Sequence, residues 1–225
     1  MKRSLKLKRT TDEVNNIENN SILNKILEWS LCIIVAVLLA LIIRYYLVAP
    51  TMVKQSSMYP TLKEGQRIVL SRLNRTFNKE YKRGEIITFE APSQASQNLS
   101  LEKPIAIYSN SSNNLIDKIA HNILEINKTS YIKRIIGVSG DRIQVKDGKV
   151  YLNGEELEET YLIEENITSQ SNYNDIVVPD GNVFVMGDNR NESMDSRSFG
   201  CIPIEKIEGI VWFRYWPLNE FGKIN

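Results

Sequence analysis

From residue 29 to residue 43 the chain carries no charge, and the apolar character continues through Tyr45, Tyr46, Leu47, Val48 and Ala49. As a helix rising ~1.5 Å per residue, residues 29–49 are long enough to cross the ~30 Å hydrocarbon core of a bilayer. Arg44 lies near the far end, where its long stem reaches the interface, and Trp29 and the Tyr45-Tyr46 pair stand where interfacial anchors belong. Beyond Pro50 the helical period fades and short runs rich in β-branched residues recur at 67–70, 85–89, 131–138, 183–186 and 210–213. Residues 143–146 and 149–152 flank Asp147-Gly148, the dipeptide that favours a two-residue hairpin turn. Turns at Asn153-Gly154 and Pro179-Asp180-Gly181 punctuate the rest. The pattern predicts an all-β, mainly antiparallel domain behind one N-terminal transmembrane helix.

Residues 91–130 break the alternation. Ser and Asn clusters surround one possible short helix at 114–126, and the stretch reads as a surface insertion between two strands. It contains His121, the single histidine of the chain, which reads as a solvated side chain.

Charge sets the expected orientation. Lys2, Arg3, Lys6, Lys8, Arg9 and Lys25 precede the apolar run. By the positive-inside rule residues 1–28 form a cytoplasmic segment, 29–49 the span, and 50–225 an extracytoplasmic domain. Residues 10–24, rich in Asn and acid, read as a loose lead-in. A cleaved secretory signal is the alternative, but the A-x-A-like site ending at Ala49 is followed by Pro50, which presents no normal amide. Lys+Arg 28 against Asp+Glu 27 leaves no global field to attract nucleic acid. The two cysteines, Cys32 and Cys201, lie in different compartments, so no disulfide, zinc site or other cofactor is expected.

Ser57 stands about a dozen residues beyond the end of the apolar run, but a free hydroxyl is a poor nucleophile without a base. One histidine in a polar stretch gives a Ser-His-Asp triad little material. A lysine kept neutral is the remaining common option. On a strand, Lys133 and Arg134 point to opposite faces, so one can face the interior while its neighbour stays wet. Burial of the lysine disfavours its ammonium and makes it a base near neutrality. Neither Ser57 nor a Lys-Arg pair is informative alone.

Four blocks in order change that: Ser57-Met58-Tyr59-Pro60-Thr61-Leu62; Arg83-Gly84-Glu85-Ile86-Ile87-Thr88-Phe89; Tyr131-Ile132-Lys133-Arg134-Ile135-Ile136-Gly137-Val138-Ser139-Gly140-Asp141; and Met186-Gly187-Asp188-Asn189-Arg190-Asn191-Glu192-Ser193-Met194-Asp195-Ser196-Arg197-Ser198-Phe199-Gly200. The chain resembles bacterial type I signal peptidases, membrane-anchored serine endopeptidases with a Ser-Lys dyad. The resemblance implies a signal-peptidase-like β fold, Ser57 as nucleophile and Lys133 as general base. It further implies Ser193 as the serine orienting the lysine, and Asp195 and Arg197 as a supporting salt bridge. Residues 187–190 look like a tight turn beneath the dyad. The implied partners are signal peptides of exported precursors, cleaved after small residues at −1 and −3, and the lipid bilayer. A lysine rather than a histidine base resembles bacterial or organellar members, and a single N-terminal anchor with a compact catalytic domain resembles the Gram-positive form.

Two positions depart from the family pattern. Gln55 stands where a small residue is usual, and its amide is a candidate oxyanion donor beside the Ser57 backbone N–H. Ser139 stands where proline is frequent before Gly140-Asp141. Met58 and Tyr59 are candidates for lining the substrate pockets, and Trp212, Phe213, Tyr215 and Trp216 for core packing or lipid contact. Among other readings, Ser130 and Lys133 fit an S-x-x-K pattern, but the order of motifs is wrong and no Lys-Thr-Gly follows. SOS-type repressors share a Ser-Lys β fold but require a DNA-binding module. The alternative from a different class is an inactive membrane-tethered β domain that binds peptides.

Overall fold

A computed structural model describes residues 2–93, 104–109, 128–163, 168–169 and 173–224, with side chains from residue 22 onward. It divides into two units, residues 1–44 and 45–225. The first is the body of helix α1 (Lys2–Tyr46). Residues 22–46 form its apolar part, with mean hydropathy 2.8 and none of it buried. Trp29, Leu31, Ile33 and Leu38 each stay more than half exposed, an arrangement that water penalises and lipid does not.

The helix departs from the expected 29–49 span at both ends. Apolar character reaches back to Ile22, and the helix closes at Tyr46. Val48 and Ala49 enter strand β1 (Val48–Met52), which holds Pro50 and pairs on one side only. An edge strand tolerates proline because no ladder donor is needed on its open side. The backbone of residues 10–24, expected to be loose, is helical and continuous with the apolar part.

The second unit is all-β and antiparallel in every strand pair, as the alternation predicts. The further elements are β2 (Arg67–Ser71), the short helix α2 (Leu73–Thr76), β3 (Ile86–Glu90), β4 (Ser130–Val138), β5 (Arg142–Lys146), β6 (Lys149–Leu152) and β7 (Glu155–Glu156). They continue through β8 (Asp175–Val177), β9 (Asn182–Met186), the one-turn helix α3 (Ser196–Phe199), β10 (Ile202–Pro203), β11 (Ile207–Trp216) and β12 (Gly222–Lys223). The main sheet runs β1-β2-β11-β3-β4-β9-β10 with β12 beside β11, and a smaller sheet runs β7-β6-β5-β8. At the β5–β6 turn Asp147 and Gly148 take φ of 53° and 77°, the left-handed pair that a tight hairpin needs.

Three apolar clusters form the interior. Ile87, Phe89, Ile135, Val185 and Phe199 centre the first, Ile143, Val145, Phe184 and Met186 the second. Met58, Leu62, Ile68 and Leu70 centre the third. Met58 is therefore core, not pocket wall. The 91–130 segment is not wholly surface: residues 104–109 lie against the sheet, where Ala106 N–H donates to Cys201 O at 2.9 Å and Ala106 is buried. The possible helix at 114–126 and His121 lie outside the described residues.

Candidate active site

Lys133 sits on β4 opposite Ile87 of β3. On its other side β4 pairs with β9 only from Arg134 onward, where Arg134 faces Met186. One step further, level with Lys133, the chain leaves the strand at Gly187. The gap thus made receives the turn that carries Ser57.

There Lys133 Nζ donates to Ser57 Oγ at 2.6 Å. The lysine is 2% and the serine 7% exposed. Burial lowers the Lys133 pKa from 10.5 to about 8, and Arg197 acts in the same direction, while the charges of Asp195 and Asp188 oppose them. The Tyr131 ring lies 5.5 Å from Nζ. A desolvated amine at hydrogen-bond distance from a hydroxyl has the geometry and basicity for general-base activation of a nucleophile.

The serine is held from both sides. Asn189 N–H donates to Ser57 O at 3.1 Å, and Asn189 Nδ2 to Ser56 O at 3.4 Å. Within the turn, Tyr59 N–H donates to Ser56 O and Leu62 N–H to Met58 O. The Ser57 backbone N–H has no hydrogen-bond partner among the described residues, which leaves a donor beside the nucleophile.

Gly187 permits this approach. A Cβ there would stand inside contact distance of Ser57 O and Ser193 Oγ, and 2.6 Å from Ser193 Cβ. Asp195 is fully buried and caps α3, accepting from Arg197 N–H at 3.2 Å. It also accepts from Arg197 Nε at 2.8 Å, Arg197 Nη2 at 2.9 Å and Gly187 N–H at 3.1 Å. Burial alone would raise its carboxyl, but the Arg197 bonds and charge, helped by Ser193 and the Gly187 amide, hold it below the usual range. The Ser193 hydroxyl favours that charge without making a hydrogen bond to it. Its oxygen is buried and unpartnered. It makes no hydrogen bond to Lys133.

Lys133 and Arg134 do point to opposite faces, but Arg134 is not wet as expected. It is 3% exposed and forks onto the fully buried Asp188 at 2.9 and 2.8 Å. Asp188 also accepts from Thr61 Oγ1 at 2.5 Å. This carboxylate ties the nucleophile turn to the strand bearing the base, a link the sequence did not announce. Nothing in a Lys-Arg dipeptide distinguishes a buried guanidinium from a solvated one. Likewise, Arg190 is buried, donates to Gly187 O at 3.0 Å, and pairs with Glu159.

The site opens through a cleft of about 470 Å³ whose walls include Gln55, Ser56, Glu64, Tyr131, Glu192 and Met194 beside the dyad residues. Gln55 is exposed and stands at the rim, so its bulk does not fill the site. Tyr59 is 43% exposed and does not line this cleft. Among the described residues no group of His, Cys, Asp and Glu is placed to hold a metal ion.

The family model for signal peptidase, peptidase S26, matches residues 26–216. The chain belongs to the signal peptidase family, peptidase S26. Signal peptidase I T of Bacillus subtilis (strain 168) is 35% identical to it over 207 residues, covering 88% of this chain and 89% of that protein. Signal peptidase IB of Staphylococcus aureus (strain COL) is 32% identical over 213 residues, covering 88% and 93%. A solved signal peptidase I structure from Enterococcus faecalis V583 aligns at 25% identity over 59% of this chain and 97% of that one, with a TM-score of 0.38. Membership of the signal peptidase family makes the chain a serine peptidase that hydrolyses signal peptides from precursors. Its N-terminal helix is long and apolar enough over residues 22–46 to cross a membrane, which agrees with that family membership.

Proposed function

We propose that Ser57 and Lys133 are the catalytic dyad of this signal peptidase. Ser57 Oγ attacks the scissile carbonyl carbon while Lys133 Nζ takes its proton. The Ser57 N–H, and at the rim the Gln55 amide, receive the developing oxyanion. Collapse breaks the C–N bond and Lys133 returns the proton to the leaving amine. Water activated by the same amine then hydrolyses the acyl ester. The observation that carries this reading is the 2.6 Å approach of a buried amine to a serine hydroxyl.

The neighbouring groups have supporting roles. Ser193, with its buried and unpartnered hydroxyl, is the acceptor for the lysine once it is an ammonium. Asp195 and Arg197 hold Gly187 and α3 in place; truncating either leaves a buried charge unpaired. Residues 130–133 of β4, which lack a partner on the β9 side, offer an edge to which an extended precursor adds as a strand. Small residues at −1 and −3 then fit by steric exclusion of larger ones.

The positive charges ahead of the apolar part of α1 support, by the positive-inside rule, a cytoplasmic segment at residues 1–28 and a catalytic domain, 50–225, outside the membrane of a Gram-positive bacterium. Its partners are signal peptides of exported precursors and the lipid bilayer. The test uses detergent-solubilised full-length protein and a precursor with Ala at −1 and −3. Cleavage by the parent, lost in both Ser57→Ala and Lys133→Ala, supports the dyad. Binding without cleavage in the parent would favour an inactive peptide-binding domain, a reading that the exposed Gln55 does not support.

A further inference from the structure

We infer that the cleft reads charge beside the scissile bond: Glu64 and Glu192 favour precursors with a basic residue there and penalise acidic ones. This rests on the dyad reading, since the two carboxylates belong to the wall of the same cleft. They are its exposed charged groups. Neither has a cationic partner among the described residues.

Glu192 is fixed close to the chemistry. Its Oε2 accepts from Ser56 Oγ at 3.1 Å and from Asn189 Nδ2 at 3.4 Å, both neutral donors. Ser56 precedes the nucleophile, and the Asn189 N–H holds the Ser57 carbonyl. The carboxylate is thereby tied to the residue that precedes the nucleophile, on the wall of the cleft that holds the dyad, and its Oε1 accepts no hydrogen bond among the described residues. Glu64 belongs to the wall of the same cleft, and the adjacent Lys63 pairs with Glu220 at 3.4 Å.

The third charged wall residue is Lys133, and it is neutral in the reactive form. A peptide poised for attack therefore meets two negative charges and no positive one. Residues at −1 and −3 are small, so discrimination by charge falls on −2, +1 and +2. A half-exposed pair is worth roughly two- to five-fold per carboxylate. Attraction of Lys and repulsion of Glu together give a Lys-to-Glu preference of about ten-fold at the most sensitive position, weakening with salt.

The test is a charge scan of the precursor, with Lys, Gln and Glu in turn at −2, +1 and +2. It compares kcat/KM for the solubilised parent and the Glu64→Gln/Glu192→Gln protein, at a pH above the Lys133 limb so that its titration does not enter. The expected result is a Lys-to-Glu ratio of about ten at one or more positions in the parent. It shrinks from about 0.05 to about 0.5 M salt and approaches one in the double variant. Equal rates for Lys and Glu at all three positions overturn the inference, as does a ratio that persists in the double variant or at high salt. If the variant does not fold, the salt series in the parent decides. Absence of cleavage for every precursor would instead count against the dyad reading itself.

Discussion

Raising the pH from 6 to 9 should switch the enzyme on along a single limb, because in the proposed dyad only the neutral Lys133 amine accepts the Ser57 proton. The amine has a pKa lowered to about 8, principally by burial. Neutral amine then makes up about 1% of the protein at pH 6, about 10% at pH 7 and half at pH 8. kcat/KM for a precursor with Ala at −1 and −3 should rise about fifty-fold from pH 6 to pH 8 and level off above pH 9. Initial rates with the solubilised full chain, at constant ionic strength, measure this. A flat profile over that range refutes the reasoning, since it removes the lysine from the proton path. An inflection near 10.5 refutes it differently, by showing an amine that water still solvates.

The same shift has a stability consequence. Lowering the amine from 10.5 to about 8 corresponds to about 3 kcal/mol. Because the folded pKa lies below the unfolded one, this cost is full below pH 8 and disappears as pH rises to about 10.5. Lys133→Met should therefore be inactive yet melt higher than the parent at pH 6, with the gap closing above pH 10; equal or lower melting at pH 6 contradicts the desolvation account. Gly187→Ala should cut kcat/KM by about 100-fold by pushing the Ser57 carbonyl and Ser193 out of register. Its overpacking of about 1–3 kcal/mol should lower Tm by only about 3–10 °C, so a folded, soluble variant with near-parent activity would show that the approach is not needed.

Period-two alternation disclosed the strands whose one face is buried, which is why residues 67–70, 143–146 and 149–152 fall within β2, β5 and β6, while the unbroken apolar run 183–186 falls within β9, buried along its whole length. It did not disclose β7, β10 or β12, two residues each, whose pairing comes from neighbours rather than from their own pattern. The end of the helix was misplaced because Val48 and Ala49 suit lipid and a sheet edge equally well. Only the pairing of Val48 with Ser71 and Ala49 with Leu70 assigns them to β1. At the site, Ser57 and Lys133 were legible as ordered blocks. Asp188 was visible within one of those blocks, but its grip on Arg134 and Thr61 was not. Contacts over 54 and 127 residues of sequence leave no local trace.

Composition and order alone therefore determined an apolar anchor, an antiparallel β domain and the two residues able to act as nucleophile and base. Local chemistry fixes these, because periodicity follows backbone geometry and reactivity follows residue type. Whether the amine is dry was decided elsewhere: by β3 covering one side of β4, by Gly187 admitting the serine turn, and by two buried ion pairs packed around them. Desolvation is a property of everything that surrounds a group, and distant segments of the chain supply those surroundings only once the sheet has closed.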